Sequence, residues 1–102
     1  MTAAYLIHSA PRNGYRQTDA MASYPERVRA IVESFGGSYR LRHNAARVLE
    51  GTWTPEFVTL IEFPSMDRLL AFYESDQYRP WRDARAEAGA GNIVVVESGE
   101  PD

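Results

Sequence analysis

The 102-residue sequence contains neither cysteine nor lysine. Without cysteine the chain forms no disulfide and offers no thiolate as a metal ligand or nucleophile. Its eleven basic residues are all arginine and are outnumbered by fourteen acidic ones, giving a net charge of −3. Because no basic run is present, we expect no nucleic-acid partner.

Long apolar runs are also missing. No segment approaches the roughly 18 apolar residues of a membrane span, and the first twelve residues, MTAAYLIHSAPR, lack the basic lead and apolar core of a signal peptide. We therefore expect no membrane partner and a cytoplasmic location. Hydrophobic residues make up 44% of the chain and charged residues 25%, which is typical of globular proteins. This length predicts one domain over residues 1–102.

Four segments rich in β-branched and aromatic residues predict strands. They are residues 4–8, 38–42, 57–63 and 92–97. Strict alternation in the second strand places Tyr39 and Leu41 on one face and Arg40 and Arg42 on the other.

Two segments between these strands have apolar residues at helical spacing, and a short third helix is predicted near residues 76–88. The sequence Ser23-Tyr24-Pro25-Glu26 matches a capping box, which predicts that the first helix begins there. Alternatively the helix begins near Arg16, and Pro25 then kinks it. We expect Ser65 to cap the second helix and Asp76 the third.

The resulting order is β-α-β-β-α-β, which predicts an α+β ferredoxin-like fold: a four-stranded antiparallel sheet with helices on one face. Three of the four strands are apolar on both faces, as in Tyr5-Leu6-Ile7 and Val94-Val95-Val96. Because two helical stripes cover only one face, we expect the other to pack against a second copy. The sequence therefore predicts a homodimer through the sheet face.

Four motifs follow one another in this order of elements: GGSYRLR, LEG-x-W-x-P, IEFPS and AFY-x-S-x-x-Y-x6-R. With the element order they resemble the dimeric α/β-barrel superfamily and, within it, the domain-of-unknown-function family 1330. The resemblance implies a barrel made of two sheets, with a pocket in each subunit between sheet and helices. Superfamily relatives include cofactor-independent monooxygenases, isomerases and haem-dependent enzymes, so the fold alone selects no chemistry.

The resemblance marks nine positions of this chain: Tyr24, Arg42, Glu50, Gly51, Ser65, Tyr73, Ser75, Tyr78 and Arg85. The chain departs from the family in two places: His43-Asn44 replaces the usual Gly-Gly after Arg42, and the connection from Ala10 to Tyr15 is longer. We expect both segments to line the pocket mouth.

For substrate binding we predict two arginines, Arg42 and Arg85, whose guanidinium groups suit a carboxylate or phenolate. The alternative for Arg85 is a structural ion pair with Glu50 or Glu62. Three aromatic residues are predicted to line the same pocket, with core or dimer packing as the alternative: Trp53, Tyr73 and Tyr78.

The candidate catalytic residues are Glu62, His8 and His43. Glu62 interrupts an apolar strand and is a candidate general base, unless it reaches solvent at the strand end. The two histidines are the only imidazoles and are candidate proton carriers, with a surface position as the alternative. No local spacing indicates a metal site, and we expect no cofactor.

Three classes of function remain open. The first is a cofactor-independent enzyme, of monooxygenase, isomerase or lyase type, acting on a small anionic or aromatic metabolite. The second is a non-catalytic protein that binds such a ligand in the same pocket. The third is a structural dimer module. We favour a small-molecule-binding dimer and leave catalysis open.

Overall fold

The computed structural model describes residues 2–89 and 91–99. The elements in chain order are β1 (Ala4–Ala10), α1 (Asp19–Ser34), β2 (Ser38–Leu41), β3 (Phe57–Phe63), α2 (Met66–Tyr73), α3 (Arg79–Ala88) and β4 (Asn92–Glu97). The strands form one antiparallel sheet in the order β2-β3-β1-β4. This α+β ferredoxin-like arrangement confirms the predicted fold class. None of the described helices has the length and hydropathy needed to cross a membrane.

The hydrophobic core lies between the helices and one side of the sheet, which we call the inner face. From the sheet, Ala4 and Leu6 of β1 and Ile61 and Phe63 of β3 point into it. The helices contribute Val28, Val32, Leu69 and Phe72, and Tyr78 closes the cluster. The registers of β1 with β3 and β4 place alternate residues of each strand on this face, as the period of two requires.

Helix α1 begins earlier than the capping box predicts. Its N-cap is Thr18, whose hydroxyl accepts a hydrogen bond from the Met21 backbone N–H at 3.1 Å. The predicted start at Ser23 is therefore wrong, and the start near Arg16 is closer to the structure. Pro25 lies inside the helix, where its missing N–H removes one helical hydrogen bond.

The caps of the two later helices differ. Ser65 caps α2 as predicted, since its hydroxyl accepts from the Arg68 N–H at 3.2 Å. The predicted cap of α3 by Asp76 is wrong: the N-cap residue, Tyr78, makes no side-chain cap, and Asp76 instead forms an ion pair with Arg79 at 3.2 Å.

Strand β2 contains an irregularity that separates its two arginines. Tyr39 lies opposite Ile61 on the inner face, but the register shifts before Leu41, which lies opposite Leu60. Arg40 consequently meets Glu62 on the opposite side of the sheet at 3.2 Å, whereas Arg42 stacks on the Tyr39 ring. The predicted alternation is therefore wrong, because a bulge interrupts the period of two.

The second side of the sheet, the outer face, has no helix packed on it among the described residues. It carries Tyr5, Ile7, Leu60, Val94 and Val96, which lie opposite one another in the strand registers. Val94 and Val96 at one edge of the sheet are 54% and 44% exposed, and Leu41 at the opposite edge is 49% exposed. This apolar face is larger than a few isolated side chains, and exposed patches of that kind are typical of interaction surfaces.

Candidate functional site

A cavity of about 370 Å³ lies between the inner face and the first half of α1. This volume falls in the range of small-molecule sites. Much of its wall is apolar or aromatic and comes from Met21, Tyr24, Pro25, Tyr39 and Phe57. A ligand with a flat apolar body would bury that body against these side chains.

The polar part of the wall comes from three places in the chain. Strand alternation directs His8 of β1 and Thr59 of β3 to the inner face, where they lie opposite each other in the strand register. Tyr15 follows the turn at Asn13, whose φ is +59°, and pairs with Gly89 through an isolated β-bridge. The third source, the segment after β2, brings Arg42, His43 and Asn44 to the same cavity.

The end of β2 is shaped by His43 and Asn44. His43 has a φ of +53°, in the left-handed region that few non-glycine residues adopt. The Asn44 side chain then donates to the Val58 carbonyl at 2.7 Å and accepts from the Val58 N–H at 3.0 Å. These two bonds take the place of the backbone hydrogen bonds between β2 and β3 where β2 ends. They hold the segment after β2 at the rim of the cavity.

The cavity wall carries positive charge without an acidic residue among its described members. Arg42 is the wall's cation, and its guanidinium carbon lies 4.6 Å from the centre of the Tyr39 ring. Among the described residues no carboxylate comes within 4.0 Å of the Arg42 side chain. Stacking on an aromatic face leaves the edge of a guanidinium able to donate to an anion.

A second arginine is buried just behind the wall. Arg85 of α3 is 8% exposed, and its Nη1 donates to the Tyr15 hydroxyl at 3.3 Å. Its Nε is buried without a hydrogen-bond partner, and no described carboxylate forms an ion pair with it. Burial lowers the pKa of Arg85, but the hydrogen bond to the Tyr15 hydroxyl and the nearby Tyr78 hydroxyl raise that pKa above its ordinary value. Arg85 therefore stays a cation.

His8 links this buried charge to the cavity. Its Nε2 lies 2.9 Å from the Tyr15 hydroxyl, and its ring meets Phe57 edge-on with centroids 5.4 Å apart. Burial and the nearby Arg85 charge lower the pKa of His8 to about 4. The ring is therefore neutral at pH 7.

Two tyrosines form a second buried pair beside the cavity. The hydroxyls of Tyr24 and Tyr78 lie 2.6 Å apart, and the Tyr78 ring stacks on Phe72 with centroids 4.5 Å apart. Burial raises the pKa of Tyr24, and the neighbouring Tyr78 raises it further. Tyr24 therefore remains a neutral phenol that shapes the wall.

Of the residues predicted from sequence, Arg42, His8 and His43 line the cavity. Arg85 and Tyr78 lie one layer behind the wall, in contact with Tyr15 and Tyr24.

The other three predicted residues lie outside the cavity wall. Trp53 is 57% exposed on the segment between β2 and β3. The Tyr73 ring packs under the Arg82 guanidinium at 5.1 Å, and Glu62 pairs with Arg40 on the outer face.

Of the connection from Ala10 to Tyr15, which was expected at the pocket mouth, Tyr15 lines the cavity. Sequence reasoning missed Tyr39, Phe57 and Thr59 as cavity residues. Strand alternation could have indicated Phe57 and Thr59, because both share the parity of the core residues Ile61 and Phe63.

Within residues 2–89 and 91–99, no cluster of three or more potential metal ligands converges.

The sequence profile of the family described as "Domain of unknown function (DUF1330)" matches residues 3–98. No protein of curated function shows significant sequence similarity to the chain.

Solved structures resemble the fold at low identity. A protein of unknown function from Rhodopseudomonas palustris is 15% identical with a TM-score of 0.73, covering 97% of this chain and 84% of its own. A dimeric ferredoxin-like protein of unknown function from Jannaschia is 16% identical with a TM-score of 0.56, covering 98% and 100%. A Nitrosomonas europaea protein, provisionally described as an antibiotic biosynthesis monooxygenase, is 19% identical with a TM-score of 0.50, covering 97% and 89%. These likenesses show the fold alone.

Proposed function

This chain belongs to the DUF1330 family, and from that premise we propose that it binds a small organic anion with a flat apolar body in the cavity between the sheet and α1. One observation carries the proposal: the cavity wall holds Arg42 and no described acidic residue, in a chain whose acidic residues outnumber its arginines. A cation would find no counter-charge on this wall, whereas an anion finds a guanidinium already in place.

The buried Arg85 strengthens the same argument. A cation taken out of water costs several kcal/mol unless an opposite charge repays it, and no described carboxylate does so here. Its charge acts on the cavity wall, because it adds to the effect of burial in lowering the pKa of His8. An anionic ligand would supply the missing negative charge.

The wall also limits the shape of the ligand. Tyr24, Tyr39 and Phe57 offer aromatic surfaces, and Met21 adds a flexible apolar one. A volume of about 370 Å³ suits a ligand with one or two rings. An aromatic carboxylate or a phenolate combines the required charge and body.

Binding without turnover and catalysis both fit this cavity. The hydrogen bond between His8 and Tyr15 favours catalysis, because it places two groups able to exchange a proton in the wall. The relative from Nitrosomonas europaea, provisionally described as a monooxygenase, is consistent with that choice. Detection of a product after incubation with a bound ligand separates an enzyme from a binding protein.

We also propose that the outer face packs on the outer face of a second copy. Val94, Val96 and Leu41 expose apolar area there, and the Arg40–Glu62 ion pair offers each copy complementary charges across a two-fold axis. The Jannaschia protein, which covers this chain almost entirely, is described as dimeric. A dimer would bury this face while leaving the cavity on the inner side open.

A thermal-shift comparison tests the ligand proposal. The purified protein is mixed with benzoate, 4-hydroxybenzoate or phenylacetate, and separately with the matching neutral amides. A ligand at a hundredfold excess over its Kd stabilises the folded state by about 2.7 kcal/mol, which corresponds to roughly 10–20 °C in Tm for a domain of this size. We expect the acids to raise Tm and the amides to have little effect.

Two arginine variants make the comparison specific. Arg42→Met should abolish the acid-induced shift, because it keeps the apolar stem but removes the charge. Arg29→Met is the matched control, since Arg29 is exposed on α1 and pairs with Glu33 outside the cavity. Equal shifts from acids and amides, or an undiminished shift in Arg42→Met, would contradict the proposal. The absence of any shift across the panel would favour the structural dimer module.

A further inference from the structure

Three side chains form a continuous hydrogen-bonded line from the buried charge to the cavity. The Arg85 Nη1 lies 3.3 Å from the Tyr15 oxygen, which lies 2.9 Å from the His8 Nε2. Each residue comes from a different part of the chain: α3, the segment before α1, and β1. The donor and the acceptor of each hydrogen bond in this line can be assigned, because each group has a known number of donors and acceptors.

The direction follows from Arg85. A guanidinium only donates, so the Tyr15 oxygen accepts from it. The phenol proton must then go elsewhere, and His8 Nε2 is the one acceptor among the described residues within hydrogen-bond distance of that oxygen. Donation to His8 is the pairing that uses the Tyr15 proton within the described residues, and in that arrangement the Nε2 of His8 carries no proton.

The hydroxyl has little freedom to turn away. A Cβ added at Gly91 would lie 1.7 Å from the Tyr15 hydroxyl oxygen, so the hydroxyl packs directly against that glycine. The Gly89 backbone approaches Gly14 and Tyr15 as closely, since an added Cβ would meet the Gly14 carbonyl oxygen at 1.9 Å. These two glycines leave room for Tyr15 at this position and hold it there.

The other ring nitrogen of His8 is left for the ligand. Its Nδ1 has no hydrogen-bond partner among the described residues, and it is not one of their buried unpaired atoms. The Nδ1 therefore faces solvent-accessible space, and His8 lines the cavity.

We propose that Tyr15 is a positioning residue that holds His8 in the tautomer protonated on Nδ1, so that His8 offers a neutral N–H donor to an acceptor oxygen of the ligand. The ligand half of this proposal rests on the proposed function, while the tautomer half stands without it. The ligand would then meet a charged donor at Arg42 and a neutral donor at His8. A carboxylate or phenolate oxygen satisfies either donor.

Burial keeps the His8 ring neutral by lowering its pKa, and the Arg85 charge behind the ring lowers that pKa further. Arg42 and His43 share its cavity, and no described carboxylate lines that wall to favour the imidazolium form. A neutral ring carries one proton, so fixing Nε2 as an acceptor fixes Nδ1 as the donor.

The tautomer can be observed directly. In ¹⁵N-histidine-labelled protein at pH 7, long-range ¹H–¹⁵N NMR distinguishes a protonated from an unprotonated ring nitrogen. We expect His8 to show a protonated Nδ1 and an unprotonated Nε2, while the exposed His43 serves as an internal reference. A proton on Nε2 of His8 in the native protein would overturn the proposal, whatever ligands bind.

Substitution of Tyr15 tests the link to binding. Tyr15→Phe keeps the ring and removes the hydroxyl, so His8 should lose its fixed tautomer and populate both forms. Benzoate should shift the Nδ1 resonance of the native protein, and its affinity should fall roughly two- to fivefold in Tyr15→Phe, because only the fraction of His8 protonated on Nδ1 can then donate to it. An unchanged His8 spectrum in folded Tyr15→Phe would refute the positioning role. If benzoate does not bind the native protein, the proposed function fails for this probe while the tautomer result stands independently.

Discussion

Replacing Arg85 with methionine should leave the unliganded protein at least as stable as the native one. The substitution removes a buried charge that no described carboxylate balances and a buried Nε that has no partner. An unsatisfied buried group costs about 1–3 kcal/mol, and exchanging buried charges for apolar side chains is often neutral or stabilising by about 1–4 kcal/mol.

The loss of one contact opposes this gain. Arg85 donates to the Tyr15 hydroxyl at 3.3 Å, and a hydrogen bond from a charged group contributes about 1.5–3 kcal/mol. The two effects are of similar size, so we expect the free energy of unfolding to change by about 0 to +2 kcal/mol. At the same time the stabilisation by benzoate should shrink, because the anion loses the field of the buried cation.

Urea unfolding of both proteins at the same concentration measures this difference, because a contribution from self-association then affects both apparent stabilities alike. Arg79→Met is the matched control on the same helix, since Arg79 is exposed and pairs with Asp76; its effect should stay within about 0.5 kcal/mol. A loss of about 3–5 kcal/mol in Arg85→Met would match the removal of one partner from a balanced buried pair. That result would refute the reasoning, because it would show that the Arg85 charge is already compensated.

Three further predictions concern the remaining features. Val96→Arg should shift sedimentation velocity from dimer toward monomer by placing charge in the outer face, whereas Leu70→Arg, 39% exposed on α2, should not; a monomeric native protein would contradict the dimer. Gly37→Ala should cost about 1–3 kcal/mol in urea unfolding through overpacking, because its Cβ would lie 2.5 Å from a Val32 methyl; Gly99→Ala, which meets nothing within 4 Å, is the control. Burial lowers the pKa of His8 from 6.5 to about 4, so the unfolded state binds the extra proton in that window. The native protein should therefore lose up to about 3 kcal/mol of stability between pH 6.5 and 4 that folded His8→Gln does not lose; equal losses would contradict the lowered pKa.

Local signals were sufficient for much of the fold. The four strands and α2 were predictable because alternation, helical spacing and the Ser65 cap all depend on neighbours in sequence. The start of α1 was not, since Thr18 and Ser23 are both acceptable cap residues. The contacts of the chain before the helix select Thr18, with the Arg16 N–H donating to the Ala88 carbonyl at 2.7 Å.

The cavity was less predictable because backbone irregularities build it. Arg42 was predicted as a binding residue, but the side of the sheet on which it lies depends on the bulge before Leu41. No residue type in the motif GGSYRLR indicates that bulge. Tyr15 depends on contacts with Gly89 and Arg85, both about 70 residues away in sequence, as well as with the nearer His8. Sequence periodicity predicts the regular parts of strands and helices. The cavity lies where those regular parts end, so periodicity does not predict it.

The arginines of this chain divide by their surroundings, and the division separates the structural explanation from the functional one. Arg12, Arg29, Arg40 and Arg79 pair with carboxylates at exposed positions, where each pair contributes little. Seven arginines have no such pair among the described residues, and two of these differ by their location: Arg42 lines the cavity and Arg85 is buried behind it. If they served stability alone, removing Arg85 would leave a partner unpaired and weaken the fold. If they bind an anion, removing Arg85 relieves the cost of a buried charge in the unliganded protein. The protein then loses stability relative to the native one only when the ligand is present.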